Sequence, residues 1–225
     1  MANAPARTWS PPRWAPVVVV LAALGPAVWG AAAMWSDFAR GTMHLGAEPV
    51  KELEHFYGDW ILRFLIATLL ITPLRRVTGW NWLQKYRRRF GVIAFTYACL
   101  HLLTYACIDV GLDWSIMLED VLKRWYITIG MTAFVLMVPL AITSTAGWAR
   151  RLGKRWVKLH RAVYVIVVLG TLHFWMSVKS DIREPLMYAL IFAALLGYRA
   201  WHSLHSRSQR PDSRPSPQPN SASSA

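Results

Sequence analysis

Three of the seven histidines in this 225-residue chain fall within long apolar runs: His101, His160 and His173. An ionisable side chain at membrane depth is expensive and marks a candidate functional site. His101 lies 11 residues after Phe90 and His173 lies 14 residues after Leu159, the points where their apolar runs begin. At about 1.5 Å per residue these depths are about 16 and 21 Å, so two helices running in the same direction carry their imidazoles at similar height. Imidazole nitrogen is a common axial ligand of haem iron, and two rings facing each other can hold one iron between them. The plainer reading is a pair of unrelated histidines bonded to nearby backbone or hydroxyls.

His160 precedes His173 by 13 residues. That is about 20 Å along a helix, the separation of two haems stacked across a bilayer. Thirteen residues at about 100° each also leave the two side chains about 140° apart around the axis. A kink or bulge is then needed to aim both at one seam. The third apolar run has no histidine at the matching depth, only Arg87, Arg88 and Arg89. One haem between His101 and His173 is the main expectation. A second at His160 requires a non-histidine ligand or an open position; the alternative for His160 is an interfacial histidine among basic neighbours. Arg63 follows Asp59 by one turn and can pair with it at i, i+4. It can also snorkel to the headgroups or act as a counter-ion for haem propionates.

The elements that must position these residues follow from composition. The chain is 55% hydrophobic and 16% charged, with mean hydropathy +0.27. Soluble domains carry about a quarter charged residues, so this chain is too apolar for that class. The net charge of +13 points to nucleic acid or a membrane surface. The basic residues sit in short clusters between apolar runs rather than on one soluble face, which favours lipid and argues against nucleic acid. Six runs approach the ~20 residues a membrane helix needs. They are Trp14 to Trp35, Asp59 to Leu74, Phe90 to Val110, Tyr126 to Thr145, Leu159 to Val178 and Pro185 to Trp201. The fold expected is an all-α, polytopic membrane helix bundle with six transmembrane helices. The first run is too long for the apolar core of a cleaved signal and is read as a retained span.

Basic residues cluster before the first run, after the second, after the fourth and in the tail, where Arg199 is counted with Arg207, Arg210 and Arg214. The positive-inside rule then places both termini in the cytoplasm. The expected organisation is a cytoplasmic N-terminal stretch (1–13), the bundle (14–205) and a disordered Ser/Pro/Arg-rich cytoplasmic tail (206–225). No Walker or dinucleotide glycine pattern occurs. Two cysteines do not make a disulfide scaffold. No repeat of 20 to 50 residues and no similarity between halves is visible. Thr143, Ser144 and Thr145 are expected to cover backbone groups freed near Pro139.

Several stretches together resemble a known family: Glu54-His55-Phe56-Tyr57-Gly58-Asp59-Trp60, Thr72-Pro73-Leu74-Arg75-Arg76, and Arg88-Arg89-Phe90-Gly91 running into Tyr97-Ala98-Cys99-Leu100-His101. Pro139 to Thr145, Trp156-Val157-Lys158-Leu159-His160-Arg161 and Leu172-His173-Phe174 complete the match. The sequence is similar, from about Glu48 to Tyr198, to haem-binding membrane subunits of the periplasmic protein-methionine-sulfoxide reductase system, within the ferric-reductase-like transmembrane group. The resemblance implies a multi-pass cytochrome b of the bacterial inner membrane that also binds FMN. It implies electrons drawn from quinone or a cytoplasmic flavin reductase and passed to a periplasmic molybdopterin-containing methionine-sulfoxide reductase subunit, for repair of oxidised envelope proteins. The sulfoxide chemistry then resides on that partner. A stand-alone transmembrane ferric reductase is the alternative. The family's haem-ligand histidines match His101, His160 and His173. Arg75 and Arg76, with Arg87 to Arg89, are candidates for the flavin phosphate; their other reading is plain topology signals. The third run's single histidine separates this chain from the two-haem oxidases of the wider group.

Overall fold

The computed structural model describes residues 11–178 and 181–208. Among these, all regular structure is helical. Helix α1 spans Ala15–Arg40 and α2 spans Pro49–Thr78. A 3₁₀ turn, Asn81–Leu83, leads into α3, Gln84–Leu103, which continues as a π-helical segment, Thr104–Asp109. Then follow α4, Trp114–Lys123, and α5, Trp125–Ile142. Two short helices, α6 (Ala146–Leu152) and α7 (Lys154–His160), precede α8, Val163–Ser177, and α9, Arg183–Ser208.

Local chemistry sets these boundaries. Proline stands in the first turn of α1 and of α2, where its missing N–H costs nothing. Both helices stop at a glycine with positive φ, Gly41 and Gly79, and the Gly79 N–H returns to the Arg75 carbonyl. Asp113 caps α4 by accepting from the Ser115 and Ile116 N–H groups. At the end of α5 the Thr143 and Ser144 hydroxyls donate to the Pro139 and Leu140 carbonyls, whereas Thr145, expected to do the same, caps α6 by accepting from the Trp148 N–H.

Among the described residues, four stretches are long and apolar enough to cross a membrane: Ala15–Arg40, Asn81–Asp109, Trp125–Ile142 and Lys154–Ser177. Their flanks expose Leu21, Val28, Val135, Ile142, Val165 and Val168. Such surface is a liability in water and is matched by lipid chains. Six spans were expected, and the other two correspond to α2 and α9. Helix α2 begins ten residues before the expected Asp59 and runs for 30 residues, which shortens the gap between the first two expected runs. Its additional turns contain Lys51, Glu52 and Glu54, so hydropathy hides them. Helix α2 is also the centre of the bundle. Leu53, Tyr57, Leu62, Phe64, Leu65, Leu69 and Ile71 are buried along it, against α1, α3, α8 and α9. The hairpins α2–α3 and α5–α8 make the most extensive helix pairings.

Three further departures have physical causes. The expected fifth span is interrupted at Arg161 and Ala162. The amphipathic α4 occupies what reads as a loop; its ten residues are too few to register as an apolar run. Arg199, counted above with the tail, lies inside α9 and bonds across the bundle. Most of the expected N-terminal stretch and tail lies outside the described residues, although α9 continues to Ser208, past the expected tail boundary at 206.

Candidate functional site: a crossed imidazole pair

His101 stands in the last turn of α3, and His173 lies near the end of α8. The bundle brings the two rings together with centroids 6.1 Å apart and planes crossed at 86°. Two imidazole nitrogens each about 2.0 Å from one metal place the ring centres a little over ~6 Å apart, so the gap suits a single iron. Each ring is anchored from behind. His101 Nδ1 donates to the Glu54 carbonyl of α2 at 2.9 Å, and His173 Nδ1 donates to the Tyr126 carbonyl of α5 at 2.7 Å. A carbonyl only accepts, so Nδ1 must carry the proton and Nε2 presents its lone pair. A ligating histidine held through its other nitrogen is the usual arrangement at metal sites. The π-helical segment begins three residues after His101, and such segments often occur at functional sites.

His160 ends α7. Its Nδ1 donates to the Trp156 carbonyl at 3.1 Å, and its ring stacks on Trp156 at 3.9 Å. Its Nε2 is buried without a hydrogen-bond partner. The ring borders a cavity of about 640 Å³, shared with Arg87, Arg88, Arg89, Phe95 and Tyr164. Arg89 also buries an unpartnered Nη1. These are donors and a lone pair suited to an anionic, ligand-seeking group. The helical run is broken at Arg161 and Ala162, between His160 and His173. Between α7 and α8 the bonds Arg161 to Lys158, Ala162 to Leu159 and Tyr164 to Arg161 close three-residue turns. Each such residue advances by about 120° rather than 100°. Three or four of them reduce the ~140° offset by about 60 to 80°.

Arg63 forms the expected pair with Asp59 at 3.0 Å, lies over the Trp60 ring and donates to Tyr188 of α9. Gly58, five residues earlier, faces His101. Five residues rotate a helix by about 140° beyond a full turn, which places Arg63 on a different face from the imidazole pair. Arg75 and Arg76 sit in the last turn of α2, and Arg75 adds to the positive field at Arg87. The cavity beside His160 is lined by Arg87, Arg88 and Arg89 and not by Arg75 or Arg76.

Sequence reasoning missed Arg199. Its guanidinium donates to Tyr164 at 2.6 Å, to the Leu69 carbonyl at 2.7 Å and to Thr72 at 2.9 Å, tying α9 to α8 and α2. The signal was available, since Arg199 interrupts an apolar run rather than following it. Gly58 and Gly130, which face the two rings, were missed as well.

Residues 57–171 match the family model described as ferric reductase like transmembrane component. A protein of Xanthomonas oryzae pv. oryzae named "Protein-methionine-sulfoxide reductase heme-binding subunit MsrQ" is 49% identical over 193 residues, covering 86% of this chain and 88% of that protein. Proteins with the same name from Xanthomonas campestris pv. campestris and Brucella anthropi are 51% and 48% identical, over 77% and 81% of this chain and 79% and 82% of their own lengths. No solved structure matches. A match this extensive, covering both helices of the imidazole pair, shows that the chain belongs to the ferric-reductase-like transmembrane family and, within it, to the MsrQ group.

Proposed function

We propose that this chain is a haem-carrying electron-transfer subunit of the bacterial inner membrane, serving a methionine-sulfoxide reductase. The observation that carries the reading is the crossed pair His101 and His173, 6.1 Å apart, with both Nδ1 protons committed to backbone carbonyls. The names of the relatives, which specify heme binding, support it. A haem b held there by His101 and His173 would supply a one-electron carrier whose potential the two imidazoles would help set. The residues hold the rings in one tautomer and one orientation. The Glu54 and Tyr126 carbonyls keep each Nδ1 proton in place, and α2 and α5 bar the rings from turning toward lipid.

His160 and the Arg87 to Arg89 cluster form the second candidate site, for another haem or for the phosphate of FMN. Burial of an unpartnered His160 Nε2 and Arg89 Nη1 supports this. Arg75 contributes positive field at its edge. The Asp59–Arg63 pair is a brace between α2 and α9; as a partner for haem propionates Arg63 faces away from the rings. We read α2 and α9 as additional spans, giving six with both termini cytoplasmic, because α2 packs along the apolar α3 and therefore shares its depth. Electrons then enter from quinone or a flavin reductase at the basic end. They leave near the imidazole pair to a periplasmic molybdopterin-containing partner.

The family description favours one competing reading, direct reduction of external ferric chelates. A pyridine haemochrome assay with flavin quantification on the purified chain tests cofactor content. One or more haems per chain, lost on His101→Ala or His173→Ala, is expected. Undiminished haem in both variants refutes the ligand assignment. Capture of a periplasmic molybdopterin reductase supports the subunit role, whereas ferric reduction by vesicles containing this chain alone supports the alternative.

A further inference from the structure

The grip on the imidazoles is built twice. The donors His101 and His173 each follow their acceptors, Glu54 and Tyr126, by 47 residues, and the two sets are displaced by 72 residues. The same displacement relates Gly58 to Gly130 and Leu100-His101 to Leu172-His173. Each glycine lies four residues after the acceptor carbonyl and faces the ring its helix holds. The pairs α2–α3 and α5–α8 therefore hold their rings in the same way, although almost no other sequence identity links them at this displacement.

We propose that Gly130 is a positioning residue for the His173 ligand. This rests on reading His101 and His173 as axial ligands. In an α-helix the carbonyl of residue i points toward the N–H of residue i+4, so its second lone pair is reached past the side chain of i+4. Glycine at i+4 opens that approach. The two supports differ in how much room remains. A Cβ on Gly130 would lie 2.6 Å from His173 Nδ1, 2.8 Å from Cε1 and 3.1 Å from Cγ. A Cβ on Gly58 would lie 3.8 Å from the nearest His101 atoms, an ordinary contact. His173 lies against bare backbone, and any side chain at position 130 forces the ring out and breaks its bond to the Tyr126 carbonyl. That bond fixes the Nε2 lone pair toward the iron and makes the imidazole a stronger donor.

The test uses the full chain in nanodiscs. Gly130→Ala should weaken haem binding about 10- to 100-fold, the usual effect of losing a partner of a ligating histidine. It should also make the midpoint potential of the retained haem more positive and reduce its low-spin signal. Gly58→Ala should move the same readouts less. Wild-type affinity, potential and low-spin signal in Gly130→Ala would overturn the proposal, as would equal effects of the two substitutions. A wild-type chain that takes up no haem overturns the ligand reading itself, a separate result from an indifferent Gly130→Ala. If Gly130→Ala does not fold, the double variant Gly130→Ala/His173→Ala decides. It should accumulate as well as His173→Ala, because the colliding ring is gone; failure of the double variant shows that the glycine acts through something else.

Discussion

Replacing Arg199 by Met should cost this bundle far more than loss of an ordinary basic residue at a helix end. The guanidinium makes three short hydrogen bonds, to Tyr164, to the Leu69 carbonyl and to Thr72. Hydrogen bonds to a charged group contribute about 1.5 to 3 kcal/mol each, so a simple sum lies at about 4.5 to 9 kcal/mol. Three effects lower it. Arg199 is only half-buried, the positive Arg87 lies close enough to repel it, and its Nε is buried with no partner. Together they leave about 2 to 4 kcal/mol, roughly 30- to 700-fold in the unfolding equilibrium at about 1.4 kcal/mol per decade. Tyr164→Phe removes one of the bonds and should cost about 1 to 2 kcal/mol. In the Arg199→Met background the same change should cost clearly less, because the bond between the two residues is already gone and only the Tyr164 interaction with Arg87 remains. Arg199→Lys should fall in between, since an ammonium cannot reproduce the guanidinium fork. The assay is denaturant titration of the purified chain in mild detergent, followed by tryptophan emission. An Arg199→Met variant within 0.5 kcal/mol of wild type would refute the reasoning, with ~0.5 being the usual limit for surface substitutions. Equal cost of Tyr164→Phe in both backgrounds would refute it too.

Other consequences can be measured separately. Tyr105 donates to the buried Asp120 at 2.9 Å, fastening α4 to the π-helical segment, so Tyr105→Phe should destabilise α4 by about 1 to 2 kcal/mol and raise its hydrogen exchange without changing that of α1. The Asp113 carboxyl is held below the ordinary range by the Ser115 hydroxyl, then by the Ile116 and Ser115 N–H groups. A lowered native pKa gives stability that is present at neutral pH and lost on acidification. Exchange protection in the first turn of α4 should hold from pH 8 to 5 and fall below about pH 4, and Asp113→Asn should remove that dependence. Trp156→Leu removes the ring on which His160 stacks and should lower the second cofactor equivalent, if one is bound, while leaving the His101–His173 spectrum intact; loss of both together would show that the two sites are not independent.

Much of this architecture is readable in the sequence because bilayer helices announce themselves by length and apolarity. The matched depths of His101 and His173 follow from counting residues from Phe90 and Leu159 at a fixed rise. What hydropathy conceals is polarity sheltered by packing. The first turns of α2 look like loop because Lys51, Glu52 and Glu54 outweigh Leu53 and Tyr57, which face the core. Arg199 was misplaced for a related reason: the positive-inside count treats each arginine near a run's end as a solvent-side marker and ignores a partner more than 120 residues away, such as Leu69. Helix α4 is too short for a span window, although Trp114, Leu118 and Leu122 share one face at four-residue spacing. The 72-residue correspondence between the two rings' supports is carried by two glycines and two Leu-His pairs. That is too little identity to stand out until the hydrogen bonds from Nδ1 show which positions correspond.

The most direct test of the central claim is low-temperature electron paramagnetic resonance of the ferric, purified chain. If both imidazoles bound one iron at the 86° crossing of their planes, the iron dπ orbitals would be nearly degenerate. The expected result is a highly anisotropic low-spin signal that disappears in both His101→Ala and His173→Ala. A purely high-spin spectrum in the wild-type chain, or survival of this highly anisotropic signal in either variant, would contradict the assignment of these two histidines as the ligands of one iron.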